Sequence, residues 1–247
     1  PETNTLVREG VASIVNPLDM YAIEEALRIK EMVGGGSTVT ALTMGPPQAE
    51  AVLREAISMG ADRGVLLCDR AFAGADTWAT SYALSQAVKT LGGADLVLFG
   101  KQASDGDTAQ VGPGVATHLN LPQITYVRKL VAIDAASITA ERMLEEGNET
   151  IRASLPRVTT GGQESHEPRL RRRHGKMNAK TAPITVWKAS DIGADPQKCG
   201  LNGSPTKVIR IFTPAARSDG EILCGDPEET TAKLVDKLMP VIVGASN

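Results

Sequence analysis

The chain has 247 residues, which is enough for one large α/β domain with an extension. Its formal net charge of -3 and its aromatic content of 3% provide neither the positive charge nor the stacking rings that nucleic-acid binding uses. The cysteines, Cys68, Cys199 and Cys224, match no zinc spacing, and no apolar run reaches membrane length. We therefore expect a cytoplasmic protein with no metal site and no membrane insertion.

Strand and helix patterns alternate three times in the first half of the chain. The predicted helices cover 20–32, 48–59 and 77–91, and the predicted strands cover 38–44, 64–68 and 96–99. This alternation predicts an α/β fold with a Rossmann-like, doubly wound and mainly parallel sheet. Ligands of such sheets bind beyond the carboxyl ends of the strands, so the loops 43–45, 69–76 and 100–108 should converge on one site.

A Gly-rich loop follows the strand at 96–99 and opens into a helix that runs toward Leu119. Unpaired backbone N–H groups and the positive end of the helix dipole would face this loop. The ligand they suit is a phosphate or a pyrophosphate. The loop matches neither the P-loop pattern nor G-x-G-x-x-G. A loop that only turns the chain is the alternative.

Short β-rich runs replace this pattern after Pro122. They predict an antiparallel insertion at about 124–155 and a last core strand at 157–160. The polar stretch 163–180 is predicted to lack regular structure and contains three consecutive arginines. It is either a solvated face or a loop that docks a partner protein.

The final segment, 183–247, is apolar but shows no pattern that could close a domain of its own. Its terminal helix, predicted at 227–239, needs the surface of a partner to cover it. We therefore divide the chain into a nucleotide-binding α/β domain at 1–182 and a C-terminal arm at 183–247.

Several motifs, taken together in their order and spacing, resemble one protein family along essentially the whole chain. They stand at 16–17, 43–46, 70–77, 100–102, 107–112, 167–169, 177 with 179–180, and 203–208. In this set the chain is similar to the β (small) subunit of electron-transfer flavoproteins. The resemblance implies a heterodimer with an α subunit that carries its own FAD, the arm embracing that subunit, and an acyl-CoA dehydrogenase-type partner docking through 163–180.

The resemblance also implies an adenine nucleotide where the three loops meet. In ordinary members this nucleotide is AMP, and in electron-bifurcating members it is a second FAD, which takes hydride from NADH and divides the electrons between a ferredoxin or flavodoxin and the FAD of the α subunit. Carried over position by position, the cofactor-binding residues are Asn16, Asp19, Met44, Gly45, Thr77, Thr80, Gly100, Lys101, Gly106, Asp107, Thr108, Ala109, Gln110 and Val111.

No catalytic side chain is predicted, because a flavin would carry the chemistry itself. The histidines, His118, His166 and His174, have no partnered arrangement and are assigned structural or surface roles.

The residue at position 109 bears on the choice between AMP and FAD. Ordinary members have Asn-Gln-Thr where this chain has Ala109, Gln110 and Val111, and the smaller alanine opens room for a second phosphate. We therefore expect FAD and bifurcation. The alternatives are an AMP-binding subunit that only relays electrons, and an unrelated protein of the ATP-dependent adenylating or stress-protein type with the same sheet.

Two departures from the family pattern accompany this expectation. The family has a first strand before the point where Pro1 stands, so we expect that the sequence is truncated there. Where dehydrogenase-binding members present a leucine anchor, this chain has Arg173, which favours a different or acidic-faced dehydrogenase.

Overall fold

The computed structural model describes residues 13–161, 166–210, 212 and 220–244. It divides into two compact units, one ending at Ile209 and the other beginning at Arg210. The described helices of the first unit are α1 (Pro17–Val33), α2 (Glu50–Met59), α3 (Thr77–Thr90), α4 (Val111–Leu119), α5 (Arg173–Thr181) and α6 (Gly200–Gly203). Its described strands are β1 (Thr40–Met44), β2 (Arg63–Leu67), β3 (Leu96–Phe99), β4 (Gln123–Ile133), β5 (Ser137–Leu144), β6 (Gly147–Ser154), β7 (Arg157–Gly161) and β8 (Ile184–Trp187).

The helix boundaries follow from local chemistry. Helix α1 begins at Pro17, whose fixed φ suits a first helical position and whose missing N–H costs nothing there. Helix α3 begins after Asp76, whose carboxylate accepts hydrogen bonds from the backbone N–H groups of Trp78 and Ala79, each at 3.0 Å. Helix α2 ends at Gly60, which takes a φ of 137°.

The described strands form two sheets, one wholly parallel and one mixed. The first has the order β1-β2-β8, and the second has the order β3-β7-β4-β5-β6. In the mixed sheet β3, β7 and β4 are parallel, and β5 and β6 extend it as an antiparallel meander. The predicted α/β class, its parallel core and its antiparallel meander are therefore confirmed. The core is split between two sheets because no described strand pairs with the free edge of β1 or β3.

Three segments differ from their predictions. The runs around 124 and 131 join into one long strand, β4, whose pairing with β5 shifts register on either side of Lys129. The predicted irregular stretch at 163–180 contains most of α5, and its residues 163–165 lie outside the described residues. The segment predicted to begin the arm contributes β8, which pairs with β2, so the structure keeps residues 183–209 with the first unit.

One buried cluster lies beneath the elements that carry the three loops. It includes Leu67 at the end of β2, Tyr82 and Ala87 of α3, and Val115 of α4. Partly buried side chains at the loop ends pack against it, namely Met44, Phe99 and Val111. The ends of β1, β2 and β3 are therefore anchored to a common core.

The second unit contains α7 (Pro227–Gly244), none of whose residues is buried. It leaves apolar side chains exposed at Leu234, Val235, Leu238 and Met239, and onward to Val243. Among the described helices, none combines the length and the apolar character that crossing a membrane would need.

Candidate functional site

The first turn of α1 fixes the start of the Gly-rich loop. The side-chain amide of Asn16 donates to the backbone carbonyl of Gln102 at 2.9 Å, and its carbonyl oxygen accepts from the backbone N–H of Ser104 at 3.1 Å. Asp19 accepts from the backbone N–H of Gly100 at 2.7 Å and from the Asn16 amide at 3.0 Å. These predicted site residues therefore act first by shaping the loop.

Gly100 is buried against the same turn and leaves no room for a side chain. A Cβ there would lie 2.6 Å from the carbonyl carbon of Leu18 and 2.7 Å from the backbone nitrogen of Asp19. Burial raises the pKa of Asp19, although the hydrogen bonds from Asn16 and Gly100 partly oppose this effect. The contact explains why a glycine must end β3.

The middle of the loop has two residues in the left-handed region. Asp107 has a φ of 52° and Ala109 a φ of 54°, a conformation that costs a residue with a side chain roughly 1–2 kcal/mol. Backbone strain of this kind is concentrated at functional sites. The side-chain amide of Gln102 donates to the carboxylate of Asp107 and holds the turn. Gly106 beside it has open space where a side chain would be.

The backbone amides that follow this turn are available to a ligand. In the part of the chain that the structure describes, no hydrogen-bond partner is found for the N–H groups of residues 108–112. Residues 103–108 are exposed, and α4 begins at Val111 without a side chain capping its first turn. Free amides at a helix N-terminus bind phosphate groups, so this geometry fits the predicted anion site.

Helix α3 holds the far end of the loop. The hydroxyl of Thr77 donates to the side-chain oxygen of Gln110 at 2.8 Å, and the hydroxyl of Ser81 donates to the backbone carbonyl of Val111 at 3.1 Å. The first amides of α3 are already bound by Asp76, as described above. The first turn of α4 therefore keeps its amides free at the predicted anion site, and α3 contributes side chains that hold the end of the loop.

The remaining predicted site residues are linked less directly to the loop. The backbone N–H of Gly45 donates to the carbonyl of Leu67 at 3.0 Å, and Met44 packs against the same core as Phe99. Thr80 is half-buried in the first turn of α3. The structure thus joins Asn16, Asp19 and Gly100 in one set of hydrogen bonds that reaches Asp107 through Gln102, and it joins Thr77 to Gln110 in a second set. It places Met44, Gly45 and Thr80 on or next to the elements around this loop.

Tyr126 of β4 is a residue that sequence reasoning missed. Its backbone has a φ of 57°, and the ammonium nitrogen of Lys101 lies 5.3 Å from the centroid of its ring. The signal in the sequence is faint, because the residue stands within an ordinary strand pattern. Only Gly161 of β7, where a Cβ would overlap the backbone of Val127, hints at the irregularity.

The segment before α5 is fastened to α1. The guanidinium of Arg169 lies 2.8 Å from the Glu24 carboxylate and 2.6 Å from the Glu31 carboxylate. Arg173, which was singled out as a departure from the family, is exposed at the start of α5. Leu170, which follows the ion-paired Arg169, is 92% exposed.

Comparison with known proteins gives the family. Residues 3–192 match the model of the electron transfer flavoprotein domain. The chain belongs to the electron transfer flavoprotein family. It is similar to the electron transfer flavoprotein subunit beta of Thermoanaerobacterium thermosaccharolyticum, with 49% identity over 239 residues that cover 96% of this chain and 90% of the relative.

Two further relatives have more specific names. The caffeyl-CoA reductase-Etf complex subunit CarD of Acetobacterium woodii is 48% identical over 239 residues, which cover 96% of this chain and 90% of the relative. The protein FixA of Azorhizobium caulinodans is 49% identical over 226 residues, which cover 89% of this chain and 80% of the relative. The predicted family is thus confirmed, and this electron transfer flavoprotein chain is a β-type subunit that takes part in flavin-linked electron transfer.

Proposed function

We propose that this chain is the β subunit of an electron-bifurcating electron transfer flavoprotein and binds FAD in the loop at 100–111. In this proposal NADH is the electron donor, and the acceptors are a ferredoxin or flavodoxin and the FAD of an α subunit that leads to an acyl-CoA dehydrogenase-type enzyme. A relative at 48% identity is named as a subunit of a caffeyl-CoA reductase-Etf complex, which supports a partner that acts on CoA esters.

The backbone at Ala109 carries the proposal. Asparagine adopts the left-handed conformation more readily than alanine, so asparagine would suit a φ of 54° better. The chain nevertheless has alanine there, where the resemblance places asparagine in AMP-binding members. A methyl group leaves the adjoining amides uncovered, and this supports a requirement for space beyond the first phosphate.

The residues of the site then have separate tasks. The amides of residues 108–112 and the N-terminus of α4 would bind the diphosphate. Asn16 and Asp19 hold the start of the loop, and Thr77 holds Gln110 at its end. FAD, when bound, would supply the two-electron oxidation of NADH and the one-electron transfers that follow, so the protein contributes placement and electrostatics.

Nucleotide extraction tests the proposal. The chain would be purified together with its α subunit, and the nucleotides released by denaturation would be quantified by chromatography. We expect two FAD per heterodimer. One FAD and one AMP would contradict the proposal and establish the AMP-binding relay instead.

A substitution in the loop makes the test sharper. Ala109→Asn should replace the second FAD with AMP, because the amide group covers the space for the second phosphate while the backbone conformation is retained. Ala103→Asn is the matched control, since Ala103 is exposed in the same loop but precedes the free amides. Two FAD in the Ala109→Asn heterodimer would show that residue 109 does not select the nucleotide.

A further inference from the structure

Tyr126 is held in a conformation that an aromatic residue rarely adopts. A bulky residue with a φ of 57° is an outlier, and it occurs where the pairing of β4 with β7 is irregular between Ile124 and Val127. Val127 pairs with Gly161, which leaves room for the displaced backbone. The backbone N–H of Tyr126 reaches the hydroxyl of Thr160 at 3.4 Å. Such bulges often direct a side chain next to an active site.

The position of Tyr126 relates it to the proposed nucleotide loop. The first residues of β4 run parallel to β7, and β7 runs parallel to β3. The irregular stretch of β4 at Tyr126 therefore lies beside the carboxyl end of β7, at the edge of the sheet where β3 also ends. Thr160, the partner of Tyr126, also packs against Gly112 in the first turn of α4. Tyr126 therefore lies two strands from β3, which carries the loop, and β7 with Thr160 lies between them.

Lys101 connects this side chain to the loop. Its ammonium group lies over the ring of Tyr126, and among the described residues it forms no ion pair with a carboxylate. Tyr126 as a whole residue is 40% exposed. The ammonium group of Lys101 can attract electron-rich oxygen and nitrogen atoms, and the ring of Tyr126 can pack against a planar group. Together they suit a planar ligand with an electron-rich edge.

We propose that Lys101 and Tyr126 form the binding site for the isoalloxazine end of the FAD, a proposal that rests on the function proposed above. Tyr126 packs against the ring system, and the ammonium group of Lys101 faces its electron-rich pyrimidine edge. The pair thus adds a contact that neither AMP nor ADP can use.

The test compares FAD with ADP, which has the adenosine and the diphosphate but no isoalloxazine. Heterodimers that retain the FAD of the α subunit and are stripped of the β nucleotide would be dialysed against each ligand. The variants Lys101→Met and Tyr126→Leu should each weaken FAD binding about tenfold and leave ADP binding unchanged. Tyr126→Phe keeps the ring and should bind FAD like the wild type. Lys129 is an exposed lysine on β4, the strand of Tyr126, so Lys129→Met is the control for the loss of a positive charge.

The outcomes separate this inference from the proposed function. A wild type that binds AMP and ADP but no FAD would overturn the proposed function and this inference with it. FAD bound equally well by the wild type and by the two variants, or an equal loss of FAD and ADP, would overturn this inference alone. If Tyr126→Leu unfolds, the test rests on Lys101→Met. Its affinity for FAD and the absorbance spectrum of its second flavin are compared with those of the wild type, and no change in either would overturn the inference.

Discussion

Two neighbouring carboxyl groups on α1 have opposite electrostatic environments. Burial alone would raise the pKa of Glu24, but hydrogen bonds from Arg169 and Arg28 outweigh this effect and lower it. Glu25 is 6% exposed, and one of its carboxyl oxygens has no hydrogen-bond partner among the described residues. Burial raises the pKa of Glu25, so the fold favours its neutral form.

The shifted pKa of Glu25 makes the stability of the protein dependent on pH. Between its unfolded and its folded pKa the native state binds more protons, so the wild type loses stability as pH rises through this window. Glu25→Gln removes the titration. Relative to the wild type it should therefore be more stable at pH 7 than at pH 4.

Urea unfolding at the two pH values measures this difference, with the exposed Glu145→Gln as the control. A Glu25→Gln variant whose stability relative to the wild type is the same at both pH values would show that Glu25 ionises normally in the folded protein.

Among the elements, the loop between β3 and α4 depends most on individual glycines. Gly100→Ala would push a methyl group into the backbone of Leu18 and Asp19, and overpacking of this kind costs roughly 1–3 kcal/mol. Gly106→Ala in the same loop meets open space and should leave stability nearly unchanged. Thermal unfolding followed by circular dichroism compares the two variants. Equal midpoints would mean that the first turn of α1 does not constrain the loop.

The elements also show which structural features a sequence reveals. The Asn16-Pro17 pair, the Asp76 cap of α3 and the glycine after β3 are local signals, so the sequence predicts both helices and the loop composition. It places the start of α1 at residue 20, whereas the structure begins this helix at Pro17. Helix α5 has few apolar residues and buries only Ala179, so it reads as a polar segment, and β8 is too short to show a period. The strand pairing of β8 and the bulge at Tyr126 depend on distant neighbours and cannot be read locally.

In the molecule as a whole, the buried core is distributed unevenly along the chain. The buried apolar side chains of the described residues all precede Ile209, and those of α7 are exposed. A chain that ends at residue 209 should therefore keep the unfolding midpoint of the full chain within a few degrees. It should also lose co-purification with the α subunit, since the family resemblance implies that the arm, which includes α7, embraces that subunit.

Calorimetry and affinity co-purification test the two halves of this prediction. The 247-residue chain carrying Leu234→Lys and Leu238→Lys is the matched control, because it keeps the arm and changes only the exposed apolar face of α7. A shortened chain that still retains the α subunit would place the binding surface in the first unit.

The attachments of the loop have a consequence for how such proteins diverge. Asn16 ties residues 102 and 104 to α1, and Thr77 ties residue 110 to α3, so the span between these anchors has a fixed length. An insertion or deletion there would detach one anchor. A change of bound nucleotide at this loop would therefore have to come from substitutions between the anchors, as proposed for residue 109, with the length of the span unchanged.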